Sequence, residues 1–435
     1  MLGTLAKAFR TPDLRRKLLF TISIMVLFRV GSFIPTPGVN TAALRALGEQ
    51  AQTGGDLLGL INLFSGGGLM QLSVFALGIM PYITASIIVQ LLRVVIPRFE
   101  TLHKEGQAGQ SKLTQYTRYL TIALAILQST VVITTARSGA LFGQIGTSEQ
   151  IIQPDTPWTV TLMIIVMTAG TGLIMWLGEL ITEKGVGNGM SLLIFTSIVA
   201  GFPSSMGQIW GGANNGPLNF FVVLIVFVAV IAAIVFVEQS QRRIRVQYAK
   251  RMVGGRTRGG GTSYLPIKIN TAGVIPIIFA SSLLSLPSMA TQFVSDQTNP
   301  VVGWIATNFR PTDALYMVLY AALTIFFCFF YTAITFNPTE VADNMMKYGG
   351  FIPGIRAGRP TAEYLNYVIN RITTPGSIYL AIVALIPQVL FSFMNINQNL
   401  PFGGTTLLII VGVGLDTVKQ IEAQLEQRHY GGFLR

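Results

Sequence analysis

Charge is scarce in this chain. Asp, Glu, Lys and Arg make up 11% of its 435 residues, against 51% hydrophobic residues, which argues against a soluble globular domain and predicts an integral membrane protein of many spans. Cysteine occurs once, as Cys328 in the apolar run FFCFFY, and histidine twice, as His103 and His429 in separate polar segments. Neither a disulfide framework nor a His/Cys metal site is expected from so few ligands so far apart. Ionisable side chains are also nearly missing from the span interiors. Glu179 and Glu183 flank the end of one apolar run, Asp416 closes another, and only Arg29 lies well inside one. A proton or sodium relay, which keeps such groups near the bilayer midplane, is therefore not expected. The Gly-rich stretches SGGGLMQ and GVGNGMS lack the Lys-Ser/Thr of a phosphate loop, and no nucleophile elbow or HExxH pair occurs, so neither enzymatic activity nor a cofactor is expected. A cleavable signal peptide is not evident, because the first apolar run, Leu18 to Pro37, leads into Pro-Thr-Pro-Gly rather than a small-residue cleavage site.

Long apolar windows are what the chain does have. Ten fall near residues 18–37, 72–92, 117–136, 158–180, 190–210, 217–237, 270–294, 314–337, 372–394 and 402–418. An even number places both termini on one side, and the basic residues identify it as cytoplasmic. Of 30 Lys and Arg, all but Arg29, Arg45, Arg137 and Arg310 fall in the two tails or in every second connection. The polar stretch GGANNGP at 211–217 divides the windows five and five, predicting an N-terminal half at 1–211 and a C-terminal half at 212–435. Five is odd, so related halves would lie inverted in the membrane.

Between the first two windows lies a shorter apolar piece, Leu57 to Phe64, followed by Ser65-Gly66-Gly67-Gly68. Eight residues make roughly 12 Å of helix against a hydrocarbon core of about 30 Å, so this piece is expected to dip into the membrane and stop. Non-helical backbone at that depth requires enclosure by protein or a water-filled cavity, which predicts a pore with a movable stopper at about 54–68.

Two cytoplasmic connections are longer than topology requires, 238–269 and 338–371. The first carries Arg242, Arg243, Arg245, Lys250, Arg251, Arg256 and Arg258. Ile244, Val246 and Tyr248 alternate with polar residues, as do Leu265, Ile267 and Ile269 beyond a glycine-rich turn, which predicts a projecting basic β-hairpin. Such a finger suits ribosomal RNA or an acidic protein, and also anionic lipid. The second presents Arg356 and Arg359, followed by an amphipathic stretch from Ala362 to Arg371. Within the spans, Ser86 and Gln90, then Gln128, Ser129 and Thr130, then Asn270 and Thr271 read either as ordinary interhelical hydrogen bonding or as a polar seam between helices that part.

The stretches FRVGSFIPTPG, INLFSGGGLMQLSVFALGIMPYITASIIVQLL, WLGELITEKGVGNGMSLLIF, INTAGVIPIIFASS, FFCFFYTAITFNPTEVADNM, GGFIPGIRAGRPT and FGGTTLLIIV resemble, in order and nearly end to end, the SecY family of protein-conducting channels. The resemblance implies a clamshell of two inverted five-helix halves around an hourglass pore, in a bacterial plasma membrane. It implies that the short helix is a plug, carried by Leu57, Leu58, Leu60, Ile61, Asn62, Leu63, Phe64, Gly66 and Gly67. It also implies a pore ring of Ile79, Ile83, Ile194, Ile278 and Ile409, and a lateral gate to lipid that takes in Ser86, Gln90, Gln128 and Asn270. The implied partners are the SecE and SecG subunits, the SecA motor ATPase and the ribosome, with unfolded secretory and membrane polypeptides as substrates. The basic loops would dock SecA and the ribosome. A secondary transporter of a small solute is the rival expectation, since inverted halves and broken helices are typical of it too.

Overall fold

A computed structural model describes residues 9–43, 65–69, 71–137, 151–153, 156–210, 216–248, 251–253, 256–258, 261–281, 283–284, 313–394 and 404–431. Helix occurs within each of the ten apolar windows. The N-terminal half holds α1 (Pro12–Gly31), α2 (Met80–Val95), α3 (Pro97–Lys104), α4 (Gln107–Arg137), α5 (Pro157–Lys184) and α6 (Gly189–Trp210). The C-terminal half holds α7 (Gly216–Gln239), strands β1 (Gln241–Tyr248), β2 (Arg251–Val253), β3 (Arg256–Arg258) and β4 (Thr262–Lys268), then helix α8 at 275–281. After it come α9 (Ala314–Thr335), α10 (Pro338–Lys347), β5 (Gly350–Phe351), α11 (Arg359–Met394) and α12 (Gly404–Gly431). Five of these segments are long and apolar enough to cross a membrane: α4, α5, Phe220–Gln239 of α7, Ala314–Lys347 and Arg359–Pro387.

Local chemistry sets several boundaries. Prolines open α1, α2, α3, α5 and α10, where a missing N–H costs nothing. The Asn337 side chain caps α10 by accepting from the amides of Thr339 and Glu340. Two windows are shorter as helix than the hydropathy implies. The first ends at Gly31, and the second starts only at Met80, because 34–36 and 72–74 pair with each other instead of continuing their helices. Thr36 donates to the Leu72 carbonyl from both its amide (3.0 Å) and its hydroxyl (2.7 Å), and Val74 donates to Ile34 (2.9 Å). Conversely, the amphipathic stretch 362–371 and the ninth window form one continuous helix, α11, of 36 residues. At 1.5 Å per residue it is about 54 Å long, so nearly half of it stands outside a core of about 30 Å.

Packing divides along the chain. One apolar core, with Leu69, Ile133, Met163 and Met167, belongs to the N-terminal half, and another, with Ile234, Ile277, Tyr320, Leu380 and Leu408, to the C-terminal half. A third draws on both and is described below. The halves touch where α6 lies against α7 and α12.

The predicted hairpin is present: β1 pairs antiparallel with β4, Gln241 opposite Lys268 through Gln247 opposite Thr262. Alternation works for Ile244 and Val246, which are buried while Arg243 and Arg245 are exposed, whereas Tyr248 at the strand's end is exposed. An addition to the expectation is β5, from the second basic connection, which pairs with the other edge of β1. Beneath the sheet, Ile244, Ile267, Ile352, Leu365 and Ile369 form a separate apolar core. The two connections are therefore one folded unit.

Gly170 on α5 fixes the depth at which the irregular backbone sits: a Cβ there would lie 2.0 Å from the Val74 carbonyl oxygen and 2.9 Å from Val74 Cγ1. Gly170→Val is expected to destabilise the protein by about 1–3 kcal/mol through forced displacement, seen as a lower unfolding midpoint in detergent. Gly172→Ala, whose Cβ would meet Ile122 Cδ1 at an ordinary 3.6 Å, serves as the tolerated control.

Candidate functional site

The third core contains all five isoleucines singled out from the sequence. Ile79 (1% exposed), Ile194 (6%), Ile278 (7%) and Ile409 (2%) are buried in it, and Ile83 packs against it partly exposed. They arrive from four elements, two in each half. Ile79 is the N-cap of α2, and Ile83, one turn on, donates its amide to the Ile79 carbonyl (3.1 Å); Ile194 is on α6, Ile278 on α8 and Ile409 on α12. The cluster is built from apolar side chains.

A cavity of about 380 Å³ lies between the start of α6 and α12, lined by Asn188, Ser191, Asp416, Thr417, Lys419 and Gln420 among others. Asn188 precedes Ile194 by six residues and Asp416 follows Ile409 by seven, so along each helix the polar lining lies roughly 10 Å from the isoleucine cluster. Sequence reasoning noted Asp416 but missed this cavity. Its signal was the cluster of polar residues at the start of the fifth window and the end of the tenth.

The expected plug residues Leu57, Leu58, Leu60, Ile61, Asn62, Leu63 and Phe64 lie outside the described residues. Gly66 and Gly67 are described, in a turn with positive φ of 66° and 89°. Arg29 of α1 donates from Nη1 to the Gly66 carbonyl and stacks its guanidinium 4.5 Å from the centroid of the Phe33 ring.

The polar residues of the spans find different partners from a single seam. Gln90 donates to Ser86 across one turn of α2 (3.4 Å), and Gln128 is half-buried on α4. Asn270, 3% exposed, donates to Glu238 at the end of α7 (2.6 Å) and to the Gly273 carbonyl (3.1 Å). Thr271 meets Thr332 of α9, and Ser129 meets Thr168 of α5. The bonds at Ser129, Asn270 and Thr271 therefore each stay within one half, and none joins Asn270 to Ser86 or Gln90.

Arg242, Arg243, Arg245, Arg356 and Arg359 are all exposed around the small sheet, Arg359 in a helical pair with Glu363 (3.1 Å). Arg251 and Arg258 lie directly opposite each other in the β2–β3 register, and Arg256 opposite Val253. Lys250 lies outside the described residues. One ion pair had no signal in the spacing. Arg118 of α4 grips Glu179 of α5 with two parallel bonds, Nε to Oε1 and Nη2 to Oε2, both 2.8 Å. Partners 61 residues apart meet only once the helices have packed.

A family model described as SecY matches residues 73–418. A protein translocase subunit SecY from Streptomyces scabiei is 58% identical over 438 residues, covering all of both chains. Among solved structures, a SecY channel whose plug domain stabilises the closed state and maintains a membrane seal superposes with a TM-score of 0.60 at 20% identity, over 94% of this chain and 91% of that one. Sec61 from a canine ribosome–channel complex of the endoplasmic reticulum gives 0.58 at 17% identity, with the same coverage.

The Arg118–Glu179 pair is partly screened, its side chains 42% and 25% exposed. A double-mutant cycle of Arg118→Met and Glu179→Gln is expected to return a coupling of about 1–2 kcal/mol in detergent unfolding, between the values typical of surface and buried pairs.

Proposed function

This chain belongs to the SecY family, and from that membership and the geometry above we propose that it is a passive, gated channel for unfolded polypeptides. The observation that carries the reading is the apolar cluster: five isoleucines from four elements, placed where the cores of the two halves merge. A ring of that kind fits a chain of any sequence, because it recognises no side chain and seals by excluding water. The polar cavity beside it serves as the entry vestibule on the cytoplasmic side. Polar segments continue through the ring. Apolar segments leave sideways into lipid, since a charged residue costs roughly 2.5–3.5 kcal/mol at the bilayer centre whereas Leu and Ile are favoured there.

The clamshell division at 211–212 is supported by the separate cores of the two halves. The lateral gate takes in Ser86, Gln90, Gln128 and Asn270, and the segment around 54–68 acts as the plug. The channel sits in the bacterial plasma membrane with both termini cytoplasmic, the side marked by the basic connections. Energy comes from SecA or from the translating ribosome, and SecE and SecG complete the complex. Docking falls to the basic sheet. Like charges opposite each other, as at Arg251 and Arg258, disfavour a free hairpin and favour one bound to a polyanion such as ribosomal RNA.

A stalled secretory polypeptide with a mid-chain photocrosslinker, in membranes containing this protein, is expected to label Ile79, Ile83, Ile194, Ile278 and Ile409. Labelling confined to the loops around Arg245 and Arg356 would make the protein a docking scaffold. Arg245→Glu together with Arg356→Glu is expected to weaken ribosome binding and to lower its salt dependence by roughly one to two counterions, measured by co-sedimentation across a salt series.

A further inference from the structure

Arg29 is the one cation well inside an apolar window, and nothing in the channel reading uses it. Three elements meet at its guanidinium. Arg29 itself comes from α1. The carbonyl it holds belongs to Gly66, in the turn at 65–68. Ser197 of α6 borders the same spot, its Cα 3.5 Å from where a Gly66 Cβ would stand, while Arg29 Nη1 is 3.1 Å from that point. The Phe33 ring covers the guanidinium face, giving the charge an aromatic partner.

The turn is otherwise closed largely upon itself. Gly68 donates to the Ser65 carbonyl (3.3 Å), Leu69 to the Ser65 hydroxyl (3.0 Å) and Ser73 to the Gly68 carbonyl (2.9 Å). Pairing with 34–36 begins only at Leu72, so the bond from Arg29 ties the upstream part of the turn to α1. Gly66 is suited to this, because its φ of 66° points a carbonyl in a direction that other residues adopt only under strain. A guanidinium is suited as well. It stays charged, keeps several donors in a rigid plane, and stacks on an aromatic ring while donating, none of which an amine does equally well.

We infer that Arg29 is a positioning residue that latches the glycine turn at 65–68 to α1 and α6 and thereby sets how tightly the resting channel is sealed against ions. The inference rests on the channel reading. It assigns the seal a second component besides the isoleucine ring: a charge-assisted hydrogen bond to one backbone carbonyl. Because the acceptor is a main-chain carbonyl, the latch calls for a backbone conformation at 66 rather than for a partner side chain.

The test is the resting ion conductance of the full chain, purified with its partner subunits and reconstituted in planar bilayers. Loss of one hydrogen bond to a charged group shifts a closed-to-open ratio by about 10- to 100-fold, so Arg29→Met is expected to raise the resting conductance by that order. Arg29→Lys, which restores the charge and one donor, is expected to fall between Arg29→Met and wild type. Gly66→Ala, which leaves Arg29 in place but strains the turn, is expected to leak as well, and it decides the matter if Arg29→Met does not fold. Deletion of residues 57–67 is the reference for an unplugged pore. If that deletion leaks while folded Arg29→Met and Gly66→Ala remain as tight as wild type, the latch is overturned and the channel reading stands. If the deletion does not leak either, the channel reading itself fails.

Discussion

In hydrocarbon every backbone donor and acceptor must find a partner within the protein, and the backbone at 65–69 and 71–79 is where that demand is hardest to meet. This stretch is not helical, yet it lies between helices that line the centre of the molecule. Its groups are satisfied by borrowing: from 34–36 after α1, from the guanidinium of Arg29, and from turns of its own. The surrounding helices have no freedom in return. Gly170 of α5 must be small so that Val74 can approach, Gly31 of α1 gives way to the Phe75 ring, and that ring stacks on Phe28 (5.8 Å). The positions of α1, α5 and α6 follow from the need to enclose one irregular strand.

The distribution of polar bonds explains how such a molecule can also open. Within each half, hydroxyl, amide and ionic groups staple helices together: Ser129 to Thr168, Arg118 to Glu179, Thr271 to Thr332, Asn270 to Glu238, Tyr320 to Thr405. At the ring the halves meet through isoleucines and their apolar neighbours. Separating an apolar contact orphans no donor or acceptor, whereas pulling apart any of the stapled pairs would. At the isoleucine cluster, as at Leu14, Val186 and Ile421, the halves are joined by apolar contact, without the polar staples found inside each half.

Much of this was written in local patterns. Ile244 and Val246 alternating with arginines announced the hairpin, and the run of arginines around them announced its exposed face. Patterns of that kind depend on near neighbours and survive in the sequence. What was not legible depended on distance along the chain. The bond from Asn270 to Glu238 left no trace in the spacing, because its partner is 32 residues away and sits at a span end, where a carboxylate is unremarked. The late start of α2 was hidden for a related reason. Hydropathy registers that 72–79 is apolar but not that its backbone has a better offer from 34–36, and Leu72, at φ 44°, occupies a conformation that no propensity favours. The pairing of β5 with β1 was equally silent, since two residues of strand leave no period to detect.

The long helix α11 gives that small sheet a mechanical meaning. Its first turns, with Leu365 and Ile369, are packed into the core under β1, β4 and β5, while Leu380, Val383 and Ala384 further along are packed into the core of the C-terminal half. One rod thus joins the small sheet to the helical core of the C-terminal half. Pro375 and Pro387 interrupt its ladder of hydrogen bonds without ending it, marking where it would bend under load. A load on the small sheet is therefore carried along this one helix into the core of the C-terminal half.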